Sequence, residues 1–585
     1  MKNSVPLSSS ISLAVPSPRP GPRLPSLFVT VATLLLLLLS TASSTYADSA
    51  TWRMNPVNGD WNMAANWTPS TVPNGPGDTA TFAFSNTTNV SVSAAIQVGG
   101  IVFNAGASAF TITATPTLTL TISGAGITNN SGITQRFVVN PDESGYLGGI
   151  MFTNSATAGT ATAFSLFGGV ESFVGTGGRI IFSNSSSADH AAFELLGSIP
   201  DAHTGAWIIF RDNATAGNGT FTSGGTPARP VGGRIDFIGN STAGEGIFIN
   251  NGGVASRTFG GRTSFFESST TGNATIINNA GTVSGAFGGR TIFYGDGAGN
   301  ATLIANGGPG DGGVILFYTS PIGSTARVEL FGNGNLDVSP PSIVPRNHTI
   351  GSIEGNGLVF LGFNYLTLGS NNLSTNFSGV IQDYGGSGAS LTKIGTEKLV
   401  LSHRNTYTGG TTIKRGKLIV NNIGGSGTGS GPVQVDGGRL GGKGIIAGAV
   451  TVGTGTGSGA VLAPGYVHGL GSPGALTIQS PLTFNADATY NVDVNSSNAT
   501  AATADEVVAN GVTINSGAQF SFADLGSGTL TPGTAFTVIN NTAATPIAGT
   551  FSNLPDGSVF TSNGNTYQVS YEGGDGNDLT LTVVP

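Results

Sequence analysis

The chain has no cysteine, which excludes a disulfide framework and any thiolate metal site. Charge is scarce as well: only 9% of 585 residues are charged. The formal net charge of −8, spread over that length, argues against a nucleic-acid partner and supports solubility. Helical periodicity is absent beyond the N-terminal segment, and no later run is long and apolar enough to span a bilayer as a helix. No phosphate loop or nucleophile elbow occurs. The five histidines, His190, His203, His348, His403 and His468, lack metal-ligand spacing. What remains is a chain of 93 Gly and 32 Phe with 38% hydrophobic residues. Disorder goes with few apolar residues and high net charge, so this chain folds.

Its N-terminus reads as an export signal. Lys2, Arg19 and Arg23 supply positive charge, Leu27 to Leu39 form an apolar run, and Thr45-Tyr46-Ala47 offers a small-residue cleavage site. The run falls short of the ~20 residues that cross a bilayer, so cleavage after Ala47 is expected rather than anchoring.

Phenylalanine recurs at Phe152, Phe182, Phe210, Phe237, Phe265, Phe293 and Phe317, with gaps of 30, 28, 27, 28, 28 and 24 residues. Four of these sites read Gly-Gly-Arg-x-x-Phe, with Arg179, Arg234, Arg262 and Arg290. A second apolar site follows at Phe193, Phe221, Phe248, Ile276, Ile304 and Val328. Such a period marks a solenoid whose units bury their apolar faces against neighbours. Adjacent strand residues point to opposite faces, so Ile180 and Phe182 are expected inward and Arg179 and Ile181 outward. Short strands joined by Gly/Asn corners close a coil of this length as a parallel β-helix; an array of β-sandwiches is the competing architecture. Trp52, Trp61 and Trp67 precede the repeats and suit a cap that keeps the open stack from pairing with other chains, with an aromatic carbohydrate platform as the alternative. Alternating Thr/Val/Ile runs from about 85 to 145 read as half-buried strands.

Further on, Leu391-Thr392-Lys393-Ile394-Gly395-Thr396-Glu397-Lys398-Leu399-Val400-Leu401 leads into Asn405-Thr406-Tyr407-Thr408-Gly409-Gly410-Thr411-Thr412-Ile413 and Gly416-Lys417-Leu418. This closely resembles the autotransporter-associated β-strand repeat, also called the passenger-associated transport repeat. One clear copy is present, and Glu397 stands where the family usually has Gly, which would distort that turn. Looser likenesses are Gly77-Asp78-Thr79-Ala80, Leu462-Ala463-Pro464-Gly465 and Ala504-Asp505-Glu506-Val507. The resemblance implies an all-β, right-handed parallel β-helix, exported to the surface or the medium and adhesin-like or envelope-structural in role. No sequence of a C-terminal membrane barrel follows, and no anchor in the mature chain or cofactor is expected. The expected divisions are a signal peptide at 1–47, a Trp-containing cap and first strands at 48–145, the 28-residue solenoid at 146–340, the transport-repeat region at 341–470 and a C-terminal β module at 471–585.

The candidate ligand-binding residues are Arg179, Arg234, Arg262 and Arg290, with Trp207 replacing Arg in the same column. A column of guanidinium forks suits sulfate, carboxylate or phosphate on a surface polysaccharide, or another cell's surface. The plainer reading is solvated corner residues, or local pairing with Asp236 or Glu267. Stacked like charges ~4.8 Å apart repel by about 0.9 kcal/mol in water. Asp575, Asn577 and Asp578 form a weak calcium-type Gly/Asp turn, for which a tight turn before the last strand is the simpler account. The regular repeats lack a cluster of Asp, Lys and Arg, so a non-catalytic protein is expected. A β-helical lyase or glycosidase acting through Asp189 or His190 is the alternative.

Overall fold

Apolar residues two apart in each short run set the geometry. In the computed structural model, which describes residues 48–585 except 115–116, 142–148, 170–176, 199–203, 226–230, 296, 321–323, 341–343, 466–472 and 499, these runs form short parallel strands. The expected signal segment lies outside the described residues. Strands Arg179–Phe182, Trp207–Phe210, Arg234–Phe237, Arg262–Phe265, Arg290–Phe293 and Val314–Phe317 pair in register, Phe beside Phe. They belong to a first sheet of 15 strands that runs to Val380–Gln382. The intervening strands Ala192–Leu195, Thr220–Ser223, Ile247–Asn250, Thr275–Asn278 and Thr302–Ala305 pair in parallel in a second sheet. Each coil therefore contributes once to each sheet, giving a β-solenoid of about 17 turns. Among the described residues the helix content is one 3-10 turn, Ala64–Asn66, and no helix is long and apolar enough to cross a membrane.

The interior consists of ladders. Phe182, Phe210, Phe237 and Phe265 stack with ring centroids 4.7, 4.7 and 4.9 Å apart and planes within 7°. Phe164, Phe193, Phe221 and Phe248 stack likewise at 4.8, 4.7 and 4.7 Å in the second sheet. The two columns meet edge to face, as in Phe182 with Phe193 at 5.9 Å and 81°. Hydrogen-bonded strands lie 4.7–4.9 Å apart, so identical rings are held at stacking distance.

The ladder departs from expectation in one register. Leu303, not Ile304, lies beside Ile276 and is fully buried, because the turn between the two sheets is one residue shorter in that coil. A one-residue slip moves a side chain to the other face of a strand. Burial also exceeds a simple in-and-out alternation: outward-pointing Ile181 and Ile209 are closed off, and Asp236 is fully buried under its neighbours.

Where the Leu166–Leu195 column gives way, polar side chains continue the ladder. Ser223 donates to Asn250 Oδ1 at 2.8 Å, and Asn250 Nδ2 donates to Asn278 Oδ1 at 2.9 Å. Thr263 and Thr291, set where other coils have Ile, donate to the same Asn250 and Asn278 oxygens at 3.0 Å. The corners are tied between coils. Asp212 at φ 60° accepts from the Asn184 amide at 2.9 Å, and Glu267 at φ 55° accepts from the Gly239 amide at 2.9 Å. The Gly-Gly before each Arg reflects close backbone approach: a Cβ on Gly289 would lie 1.9 Å from the Asn250 carbonyl oxygen, and one on Gly288 2.0 Å from that of Gly312.

Later coils shrink. From Asn347–Ile350 a third sheet of eight strands begins, and partners such as Lys398 and Lys417 lie 19 residues apart. Both ends of the stack are covered. Trp52, Trp61 and Trp67 are buried in an edge-to-face cluster over Phe82, which stacks on Phe103. Rings buried in this way cannot form the carbohydrate platform considered above. At the other end, strands Ala535–Asn541, Asp578–Val584, Asn565–Gly573 and Val559–Ser562 switch to antiparallel pairing.

Phe237→Ala should cost about 3–5 kcal/mol, the range for a buried Phe truncation. Because coils contact only their neighbours, hydrogen exchange should accelerate most at 207–210 and 262–265 and little at 433–452. Uniform acceleration along the chain would contradict the ladder description.

Candidate functional site

The first sheet's outer face gathers three of the four candidate arginines. Arg234, Arg262 and Arg290 are consecutive Cα partners on adjacent coils. They line a cavity of about 260 Å³ with Val231, Phe259 and Ile292. Trp207 closes one end of the row. The Arg234 guanidinium lies 4.7 Å from the Trp207 ring and 2.5 Å from Asp236 Oδ2, to which the Trp207 indole donates at 3.0 Å. Arg179 stands beyond Trp207, next along the sheet, and does not line the cavity. Burial and the adjacent Arg211 lower the Arg179 pKa from its usual value. Burial, with Arg234 and Arg290 beside it, likewise lowers that of Arg262, while Asp236 and Tyr294 oppose the shift. Local pairing thus describes Arg234 with Asp236, whereas Glu267 instead caps the Gly239 amide.

Sequence reading missed the flanks of this row. Phe259 and Phe287, each three residues before an Arg, stack at 4.7 Å, and the Arg290 guanidinium lies 5.8 Å from Phe287. On the other flank Phe266, Tyr294 and Tyr318 stack at 4.7 and 4.9 Å. The available signal was the repeated apolar-Gly-Gly-Arg of Val231, Phe259 and Phe287, spaced 28 residues apart.

The other candidates are placed apart. Asp575 is exposed in the hairpin turn, whereas Asn577 and Asp578 face inward. Asp578 Oδ1 accepts from the Asn541 amide at 2.9 Å, and Asn577 Nδ2 donates to the Ala543 carbonyl at 2.5 Å. Burial, with Asp575 adding to it, raises the Asp578 pKa. His190 Nδ1 lies 2.6 Å from Asp189 Oδ1 at an exposed corner where Asp189 has φ 53°. His203 and His468 lie outside the described residues. Among the described residues no group of three or more His, Asp or Glu side chains is placed to hold a metal ion.

The transport-repeat motif serves the solenoid's own architecture. Leu391–Lys393 of the motif and Thr411–Ile413 lie in the third sheet, and Lys398–Leu401 and Lys417–Val420 in the second. Asn405 bridges neighbouring coils: its Oδ1 accepts from the Ile381 amide at 2.8 Å and its Nδ2 donates to the Gly427 carbonyl at 2.6 Å. Tyr407 fills the interior, with its hydroxyl 2.6 Å from Thr411 Oγ1; burial raises its pKa. Lys393 turns inward, its ammonium donating to the Ile394 carbonyl, and burial lowers its pKa to about 8. Glu397 does not distort the turn: it stays out of the left-handed region and accepts from Ser374 at 2.8 Å.

Residues 391–420 match the family model for the Passenger-associated-transport-repeat. The chain is also similar to the Hap adhesin of Haemophilus influenzae in its crystal structure, at 10% identity and a TM-score of 0.25. That alignment covers 87% of this chain, which spans 64% of the adhesin chain's length. No curated protein matches the sequence.

Asn405→Ala leaves the Ile381 amide and the Gly427 carbonyl without their buried partner and should cost about 2–4 kcal/mol in denaturant unfolding. A midpoint unchanged from wild type would contradict the bridging role. His348 gives a pH test. Burial, with nearby Arg346, lowers its pKa to about 4, and neither ring nitrogen has a hydrogen-bond partner. The unfolded chain then binds a proton below about pH 6.5 that the folded chain refuses, so this group reduces stability as pH falls from 6.5 to 4. His348→Leu, matching Leu366 and Leu391 in the same ladder, should remove up to about 3 kcal/mol of that decline. Asp505, raised to about 7 chiefly by burial, titrates with the opposite sign in both proteins and cancels in the comparison. Parallel stability–pH curves for the two proteins would refute the assignment.

Proposed function

We propose that this chain is an exported, non-catalytic solenoid that works at the cell surface or in the medium, as an adhesin-like or envelope-structural element. The observation that carries the reading is the passenger-associated transport repeat, built in register into the coils before and after it. The motif's Asn405 and Tyr407 are spent on coil-to-coil bonding and interior filling, so the repeat works as a construction unit rather than a ligand site. A β-solenoid suits this role because its ladders fill the interior and leave long outer faces for contact. A surface rich in Thr, Ser and Asn and poor in charge limits nonspecific electrostatic binding.

Expression of an epitope-tagged chain in its native host tests the reading. Tagged protein should appear in the medium, or be cleaved when intact cells are treated with proteinase K; retention in the cytoplasm would overturn export. Incubation of purified chain with neutral and acidic polysaccharides should release no reducing ends above background. Sustained release that is lost in Asp189→Asn would overturn the non-catalytic part.

A further inference from the structure

We infer that the groove over Arg234, Arg262 and Arg290 binds an acidic polysaccharide bearing uronate carboxylates, lying parallel to the solenoid axis. The inference deepens the adhesin-like reading and rests on it for the ligand's source. Its test uses purified protein, so failure here leaves the export experiment untouched.

Charge is the first argument. Arg234 is neutralised by Asp236 and sandwiched against Trp207, but among the described residues no acidic side chain lies within 4 Å of Arg262 or Arg290. Three guanidinium groups on adjacent coils repel one another, and the desolvation that lowers the Arg262 pKa adds to that cost. A carboxylate between Arg262 and Arg290 relieves both, and the guanidinium fork matches its geometry.

Unmet hydrogen bonding is the second. Arg234 Nε, Arg290 Nε and Ser264 Oγ are buried without a protein partner, as is Asp236 Oδ1. Of these residues Arg234 and Arg290 line the cavity, and a carboxylate bound at the open side of the Arg290 guanidinium gives that group a partner that the protein does not supply.

Shape selects the polymer. The arginine row lies between two aromatic rails along the axis: stacked Phe259 and Phe287 three residues before the arginines, and stacked Phe266, Tyr294 and Tyr318 four residues after. Phe259, Tyr294 and Tyr318 are 46%, 37% and 41% exposed, so the rails are open to contact. The cavity of about 260 Å³ has room for a sugar-sized group, below the usual size of a pocket for a drug-sized ligand. Ring edges offer apolar contact to sugar C–H groups, while the cations repeat once per strand spacing of ~4.8 Å. A polyuronate advances by a comparable length per sugar and carries one carboxylate on each. Trp207 ends the cationic row on one side and Val314 on the other, so a few sugars span it.

Isothermal titration of purified chain with polygalacturonate, with dextran as the neutral polymer and a single-stranded oligonucleotide as a generic polyanion, tests this. Polygalacturonate should bind and weaken with salt, and dextran should not bind. Arg262→Gln with Arg290→Gln should lower affinity at least tenfold while the circular dichroism and unfolding midpoint stay near wild type. Phe259→Ala with Phe287→Ala should weaken binding several-fold while leaving the salt slope unchanged. Absence of polygalacturonate binding, or binding indifferent to the arginine pair, overturns the inference. Equal affinity for the oligonucleotide through the same arginines overturns the choice of a glycan.

Discussion

Everything in this molecule depends on the distance that main-chain hydrogen bonds impose between neighbouring strands. A parallel ladder holds each coil ~4.8 Å from the next, so every side chain faces the equivalent residue at that separation. The spacing suits flat rings, as the Phe182 to Phe265 stack demonstrates, and it suits amides that both donate and accept, as Asn251, Asn279 and Asn306 do in their own ladder. It penalises a repeated charge. The scarcity of charge in the chain therefore has a structural cause as well as a solubility consequence. Like charges still stack in two rows, Arg234, Arg262 and Arg290 on the first sheet and Lys398, Lys417 and Arg439 on the second.

The same spacing explains how the coil changes size without breaking the stack. Coils of about 28 residues keep both main sheets and a minimal bridge through Thr157, Ser187, Thr215, Thr242 and Thr270. Once the coil shortens, the first sheet ends at Val380–Gln382 and a side chain shares the bonding there with the main chain of Asn405 and Thr406. Asn405 reaches one coil back and one forward with a single amide, standing in for a strand's carbonyl and amide. Tyr407 is fully buried inside this narrower coil, with Thr411 as the partner of its hydroxyl. In this chain the segment that matches the transport repeat builds a narrow coil.

Much of this was legible in the sequence, for a physical reason. Large residues repeated at a fixed interval report the ladder directly, and the Phe register, the parallel pairing and the paired glycines all follow from it. What stayed hidden depended on single residues. Ile304 and Leu303 are equally apolar neighbours, and only the length of one turn decides which faces inward. The tryptophans' role was open because a ring that caps a stack and a ring that holds a sugar look alike until burial is known. The arginine column was visible, but not its division into a neutralised end and an open row, because Asp236 sits two residues on, within a strand whose outer face was expected to be solvated.

That division bears on how a solenoid varies its outer face without disturbing its core. In each Gly-Gly-Arg-x-x-Phe unit the Phe and one Gly are committed to the interior, while the Arg points away from it. Trp207 occupies an Arg position with no change in the register of its strand, and Val314 does so one coil beyond Arg290. Outer positions are thus free to vary while the ladder is held by inner ones. The strand spacing still copies any favourable outer residue along the axis at a fixed pitch. A fold of this kind makes linear, periodic recognition surfaces more readily than enclosed pockets, because the geometry that stacks its core also lines up its surface.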